Sequence, residues 1–266
     1  MKKVLKIIIY IFAVIGFVLT IGFFAIKYGL TNTKGIIDTQ RENFLQDVKT
    51  SENLYWENLG EWQTLKSAIQ KDIPTIQKAS EDIGVSSRLI VSALIAEQLR
   101  FFYTDRQVYK KFFEPLKILG SETQFSWGVM GVKEETAIQI EQNLASTTNQ
   151  YYLGSKYEHI LDFKTKDSKQ ERFERMTDQH DHYYSYLYAG LYMKEVMNQW
   201  KKSGYDISER PDIILTLYNI GFANSKPNSN PHSGGSEIKL YDQTYSFGSL
   251  ASEFYYSDEF LGEFPK

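Results

Sequence analysis

A mainly helical domain with a minor β-hairpin, preceded by one N-terminal transmembrane helix, is the architecture this sequence predicts, and three observations carry it. The first is an uncharged run of twenty residues, Ile7–Ile26, long enough to span a bilayer as a helix. The second is a series of segments with apolar residues three and four apart, bounded by Gly and Pro. The third is that period-two alternation shows in one place only, EIKLYDQTYSF near the end of the chain. No strand–helix–strand alternation is visible.

Taken in order, Lys2, Lys3 and Lys6 precede the apolar run and are retained in the cytoplasm, which sends everything after Lys27 to the far side. A cleaved signal peptide has a shorter apolar region and a small-x-small cleavage site, and FFAIKYGL offers neither. Residues 1–30 are therefore read as an anchor, 31–72 as a polar stalk with leading helices, and 73–266 as the main domain. NLYWENLGEWQTLKSAIQ and IPTIQKASEDIG have helical spacing, with Pro74 near the N-terminus of the second and Gly84 past its end. A helix from Ser86 or Ser87 follows, then a basic, aromatic stretch from Thr104 to Gly120. VKEETAIQIEQNL, DHYYSYLYAGLYMKEVMNQWKKSG and RPDIILTLYNIG supply three more helices. A turn-rich loop over 222–235, a hairpin turning at Asp242 and a short helix at SLASEFYY complete the chain.

Composition excludes several functions. With no Cys, thiol catalysis, disulfides and Cys-based zinc sites are ruled out. Removing the anchor's lysines from the formal charge of −3 leaves about −7 on the exported part, which argues against nucleic acid as a partner. There is no phosphate-binding loop, no dinucleotide fingerprint and no nucleophile elbow, so no cofactor is indicated. His180 and His182, in HDH, have no third ligand at a suitable spacing and are expected at the surface, without a metal. Tyr183, Tyr184, Tyr186, Tyr188 and Tyr192 fall at helical spacing and read chiefly as core.

One residue stands out chemically. In SALIAEQLRFF, stepping back from Glu97 reaches Leu94, Ala93 and Ile90, and stepping ahead reaches Phe101, so a carboxyl lies on the apolar stripe. Such a group pairs with a cation, accepts hydrogen bonds or keeps its proton with a raised pKa. Arg100 at i+3 offers the first outcome. The third makes a general acid.

Two later stretches bear on that choice: SWGVMGVKEETA, Ser126–Ala137, and LYNIG, Leu217–Gly221. With Glu97 they resemble the lysozyme-like lytic transglycosylases, whose motifs run Glu, then S-x-G-x-M-Q-I-x-P-x-T-A, then A-Y-N-x-G. Ser126, Gly128, Met130, Thr136 and Ala137 match by position, as do Tyr218, Asn219 and Gly221. Gly131 stands for the family's Gln, Glu134 for its Pro, and Gln98 where a Ser usually follows the Glu. The resemblance covers roughly Ile73–Gly235, with an insertion around Phe102–Glu122.

It implies a lysozyme-like fold and a cleft for peptidoglycan glycan strands, with Glu97 as the single catalytic acid/base kept protonated by burial. It further implies substrate contacts from Ser126, Met130, Tyr218 and Asn219, with Gln124 and Glu122 as further cleft residues. A membrane-anchored enzyme of the bacterial envelope, serving an envelope protein complex, fits the same reading. Three alternatives remain open at this point. A muramidase needs a second carboxyl, for which Glu122, Asp105 and Glu114 are available. A peptidoglycan glycosyltransferase relative is recognised by E-D-x-x-F, from which Gln98 departs. A catalytically silent glycan-binding or scaffold domain requires no acid at all.

Overall fold

The computed structural model describes residues 2–27, 35–37, 54–103 and 126–266. The chain divides into two units, residues 1–33 with 105–125, and residues 34–104 with 126–266. In the first unit, α1 (Lys2–Lys27) is a continuous helix of 26 residues with Ile9, Phe12, Phe17 and Phe24 exposed along it. Among the described residues no helix is long and apolar enough to cross a membrane. The expected segment 7–26 lies within this helix. The Thr104–Gly120 stretch lies outside the described residues.

The second unit is mainly helical with a small three-stranded sheet. After a 3-10 turn at Tyr55–Asn58 come α2 (Gly60–Ile83) and α3 (Ser87–Tyr103). A short hairpin, β2 (Ser126–Trp127) and β3 (Val132–Lys133), leads into α4 (Glu134–Ala145), followed by α5 (Ser168–Thr177), α6 (Tyr183–Lys202) and α7 (Pro211–Ile220). The chain closes with β4 (Gly234–Leu240), β5 (Gln243–Ser246) and α8 (Phe247–Tyr256). Helix α3 is the centrepiece, packing on α2, α6, α7 and α8. It has no polar face over its first turns: every residue from Arg88 to Ala96 is buried.

Two departures from expectation concern α2 and the stalk. The two leading helices are one, with Pro74 inside it. Proline withholds a backbone donor at that point, but Trp62, Leu65 and Ile69 before it and Ile76, Ala79 and Ile83 after it are all buried, so packing of both halves offsets the missing bond. Gly84 ends the helix in the left-handed conformation at φ 70°, as its position predicts. Within the expected stalk, Gly35–Ile37 forms β1 and pairs antiparallel with β4, setting Ile36 opposite Gly235. The sheet order is β1–β4–β5. The expected hairpin is its β4–β5 part, turning through Tyr241 and Asp242, with Ile238, Leu240 and Tyr245 buried on its inner face.

Helix α5 has no counterpart in the hydrophobic pattern because SKQERFERMT is mostly charged. Asp167 caps it by accepting from Gln170 N at 3.0 Å. Ion pairs of Arg172 with Glu141 at 2.6 Å, and of Arg175 with Glu171, take the place of an apolar stripe. The Arg172 and Arg175 guanidinium groups also lie over the Phe163 ring, at 5.2 and 4.9 Å.

The N-terminus of α3 is fixed to the C-terminal segment by Arg88, which is fully buried. Its guanidinium donates to five backbone carbonyls, those of Phe254, Tyr255, Ser257, Glu259 and Phe264. It also lies over the Phe254 ring at 4.9 Å. Burial pushes the group below its ordinary pKa, and the carbonyl dipoles supply the compensation that a carboxylate would otherwise give.

Candidate active site

Three segments of the second unit meet at the Glu97 carboxyl. Helix α3 carries it in its second half, where the residue is 9% exposed. The β2–β3 hairpin turns beside it through Gly128 and Gly131, at φ 64° and 67°. At Gly131 a Cβ would come within 2.2 Å of Glu97 Oε1 and 2.5 Å of its Cδ, so the carboxyl lies directly on glycine backbone. Only a residue without a side chain leaves room for Glu97 in this pose. Gly128 is equally constrained, since a Cβ there would meet Met176 O at 2.2 Å.

Two side chains hold the hairpin in place through consecutive carbonyls. Gln98, next to Glu97 on α3, donates from Nε2 to Val129 O. Tyr218, from α7, donates its hydroxyl to Met130 O at 2.7 Å. Burial, reinforced by the charge of Glu97, pushes the Tyr218 phenol well above its ordinary pKa, so it stays a neutral donor. Its ring rests edge-on against Tyr192, with centroids 5.5 Å apart.

The residues singled out in the sequence are brought together unevenly. Glu97 and Tyr218 face the same hairpin. Met130 is fully buried and anchors the hairpin from within. Asn219 Oδ1 accepts from Ser236 N at 2.7 Å and so ties the end of α7 to β4. Ser126 begins β2 opposite Lys133. Gln124, Glu122, Asp105 and Glu114 lie outside the described residues. Arg100 donates to Glu97 Oε1, forming an i,i+3 ion pair whose side chains are 11% and 12% exposed. The cost of burying the carboxyl is met by a cation one turn along the same helix.

Gly131→Ala is expected to lower stability by about 1–2 kcal/mol for the left-handed backbone alone, and by more once Glu97 is displaced. Gly84→Ala, at φ 70° with its nearest neighbour an ordinary 3.6 Å away, bears only the backbone cost. Thermal melts of the two variants should therefore rank Gly131→Ala as the less stable.

A second buried carboxyl escaped the sequence reading. Glu195 on α6 is fully buried; its Oε2 accepts from Asn143 Nδ2 at 2.7 Å, while Oε1 has no hydrogen-bond partner among the described residues. Burial pushes its pKa well above the ordinary value, opposed by the Asn143 bond. The stripe argument that isolates Glu97 finds it too, since Tyr192, Leu191 and Tyr188 lie three, four and seven residues back. Tyr186, Tyr188 and Tyr192 are core residues, as their spacing predicts.

His182 is not at the surface as expected. It is half-buried at the start of α6, and its Nδ1 meets Asp72 Oδ2 at 2.5 Å, as does the Tyr186 hydroxyl. Among the described residues no group of three or more His, Cys, Asp or Glu is placed to hold a metal. The Asp72 bond raises the His182 pKa against the effect of burial. Burial raises the Asp72 pKa, and the bonds from His182 and Tyr186 outweigh it, so the net direction is down. Stability from Asp72 is thus present above its ordinary value of 3.8 and lost as pH falls through the depressed one. Stability from His182 is present below its ordinary 6.5 and lost as pH rises through the raised one. Melting temperatures of the native protein and His182→Gln should differ most between those two ordinary values and converge at alkaline pH.

Compared with protein-family models, curated proteins and solved structures, the chain matches none.

Proposed function

We propose that the second unit is a peptidoglycan lytic transglycosylase, held by α1 at the cytoplasmic membrane of a bacterium with its catalytic domain outside the cytoplasm. One observation carries the reading: the three segments that resemble the family's motifs, far apart in sequence, converge on a single carboxyl, with Glu97 against Gly131 and Tyr218 bonded to Met130 O. In the reaction Glu97 gives its proton to the glycosidic oxygen between MurNAc and GlcNAc. The C1–O bond breaks and its electron pair stays on the leaving oxygen. The C6 hydroxyl of the same MurNAc attacks C1 and passes its proton to Glu97, which restores the acid and yields a 1,6-anhydro end. No water is consumed and no cofactor enters. Gln98 and Tyr218 keep the hairpin from shifting, so the acid is presented at a fixed place.

The Arg100 pair favours a second reading, a glycan-binding or scaffold domain of an envelope complex in which Glu97 is a structural anion. Incubating the full chain in detergent micelles with purified peptidoglycan, followed by mass spectrometry of the released fragments, separates the readings. Anhydro ends are expected. Reducing ends would mean hydrolysis, and no release would leave the scaffold.

A further inference from the structure

A carboxyl as deeply buried as Glu195 needs more than one donor to hold a charge, and the polar side chains around it are already committed. Tyr151 N donates to Asn149 Oδ1 at 3.0 Å, which fixes that amide, and Asn149 Nδ2 donates to Asn143 Oδ1 at 2.8 Å, which fixes the next. Asn143 Nδ2 is left to donate to Glu195 Oε2 at 2.7 Å. A backbone N–H thus sets the direction of the whole relay, which delivers a single hydrogen bond. The two phenols that feel the charge of Glu195 donate elsewhere, Tyr151 to Phe222 O at 3.4 Å and Tyr192 to Leu217 O at 2.8 Å. Among the described residues no cation pairs with Glu195, and its Oε1 has no partner. These surroundings suit the neutral acid. The same phenols lead to the site. Tyr151 and Tyr192 both rest on the Phe222 ring, with centroids 4.8 and 4.2 Å away, and Tyr192 meets the Tyr218 ring edge-on at 5.5 Å. Leu217, whose carbonyl takes the Tyr192 hydroxyl, precedes Tyr218 in α7, and Tyr218 holds the hairpin that backs Glu97.

We propose that Glu195 is a positioning residue whose proton keeps this aromatic layer closed behind Tyr218, so that loss of the proton as pH rises loosens the β2–β3 hairpin. An ionised Glu195 has to draw water or a phenol O–H to Oε1, and either one disturbs Tyr151 or Tyr192. The carboxyl takes no part in the reaction, and the inference rests on the transglycosylase reading only where cleavage is concerned: cleavage by the native protein declines over the pH range in which the hairpin loosens. Burial raises the Glu195 pKa well above 4.5, so stability from the neutral acid is fully present below 4.5 and declines as pH rises toward the raised value. One proton makes that decline about tenfold in the folding equilibrium constant per pH unit.

The test follows the full chain in micelles across pH, by denaturant unfolding and by amide-exchange protection of the hairpin, Ser126–Lys133. Above pH 4.5 the folding constant of the native protein should fall about tenfold per pH unit relative to Glu195→Gln, and then level off. Hairpin protection should drop at the pH where that fall levels, by about tenfold or more relative to α2, and should stay constant in Glu195→Gln. A merely structural acid moves the unfolding constant and leaves hairpin protection unchanged, and that result overturns the proposal. So does an equal pH dependence in native protein and variant. If Glu195→Gln does not fold, Asn143→Leu takes its place: with the one donor to the ionised form gone, the drop in hairpin protection should move to higher pH, and no movement overturns the proposal. An absence of any drop in the native protein does the same whatever the variants do. Failure of the underlying reading looks different: stability and hairpin respond to pH as stated, but no glycan strand is cleaved at any pH.

Discussion

Glu97→Gln should retain the fold and lose glycan cleavage by about 10²–10⁴-fold, the range spanned by a positioned general acid or base. The amide matches the carboxylate in shape, so it can still lie on Gly131, where a Cβ would come within 2.2 Å of the native Oε1. Its oxygen can still accept from Arg100, though without charge. The stability loss should be small, about 1–2 kcal/mol, because a neutral acceptor replaces an ionic one and leaves the buried guanidinium partly compensated. Glu97→Asp keeps the charge but withdraws it from both Gly131 and the substrate, and should lose most of the activity as well. The readout is the rate of anhydro-end formation with melting temperature measured alongside. Cleavage by Glu97→Gln at the native rate would remove Glu97 from the chemistry.

The largest effect on stability is expected from Arg88→Met. The variant takes away a donor to five carbonyls between Phe254 and Phe264 and offers nothing to replace it. Breaking a fully buried charged network costs about 3–5 kcal/mol, which for a domain of this size is about 6–20 °C in melting temperature. Arg88→Lys should recover only part of it, since an ammonium has three donors and cannot reproduce the planar fork. A melting temperature unchanged in Arg88→Met would show that water takes over the carbonyls at no cost. Because Glu97 sits on the same helix, melts and activity measured together also report whether the two ends of α3 are coupled.

These two residues show what was legible in the sequence and what was not. Glu97 is visible because its neighbours at three, four and seven residues are apolar, a local pattern that needs no knowledge of the fold. Gly84, Pro211 and the alternation in β4–β5 are visible for the same reason, since each marks an element by its own backbone preference. No local pattern marks Arg88 as buried, because its partners lie more than 160 residues away. Which of three outcomes Glu97 takes was equally hidden. The choice between proton and ion pair depends on the Arg100 rotamer and on the hairpin that pins the carboxyl, and neither is a property of helical spacing. Strand β1 escaped because three residues, Gly35–Ile37, are too few to show a period. Helix α5 escaped because Phe173 and Met176 are its only apolar residues, and its other buried positions are charged and ion-paired.

The anchoring of Arg88 by Phe254–Phe264 also bears on how the domain is made. A ribosome delivers the helix that carries Glu97 long before it delivers the carbonyls that neutralise the base of that helix, so the nascent domain emerges with a bare cation where its interior should close. Closure around that cation therefore waits for residues 254–264, and the carboxyl is brought to its final surroundings only when the polypeptide has looped back onto α3.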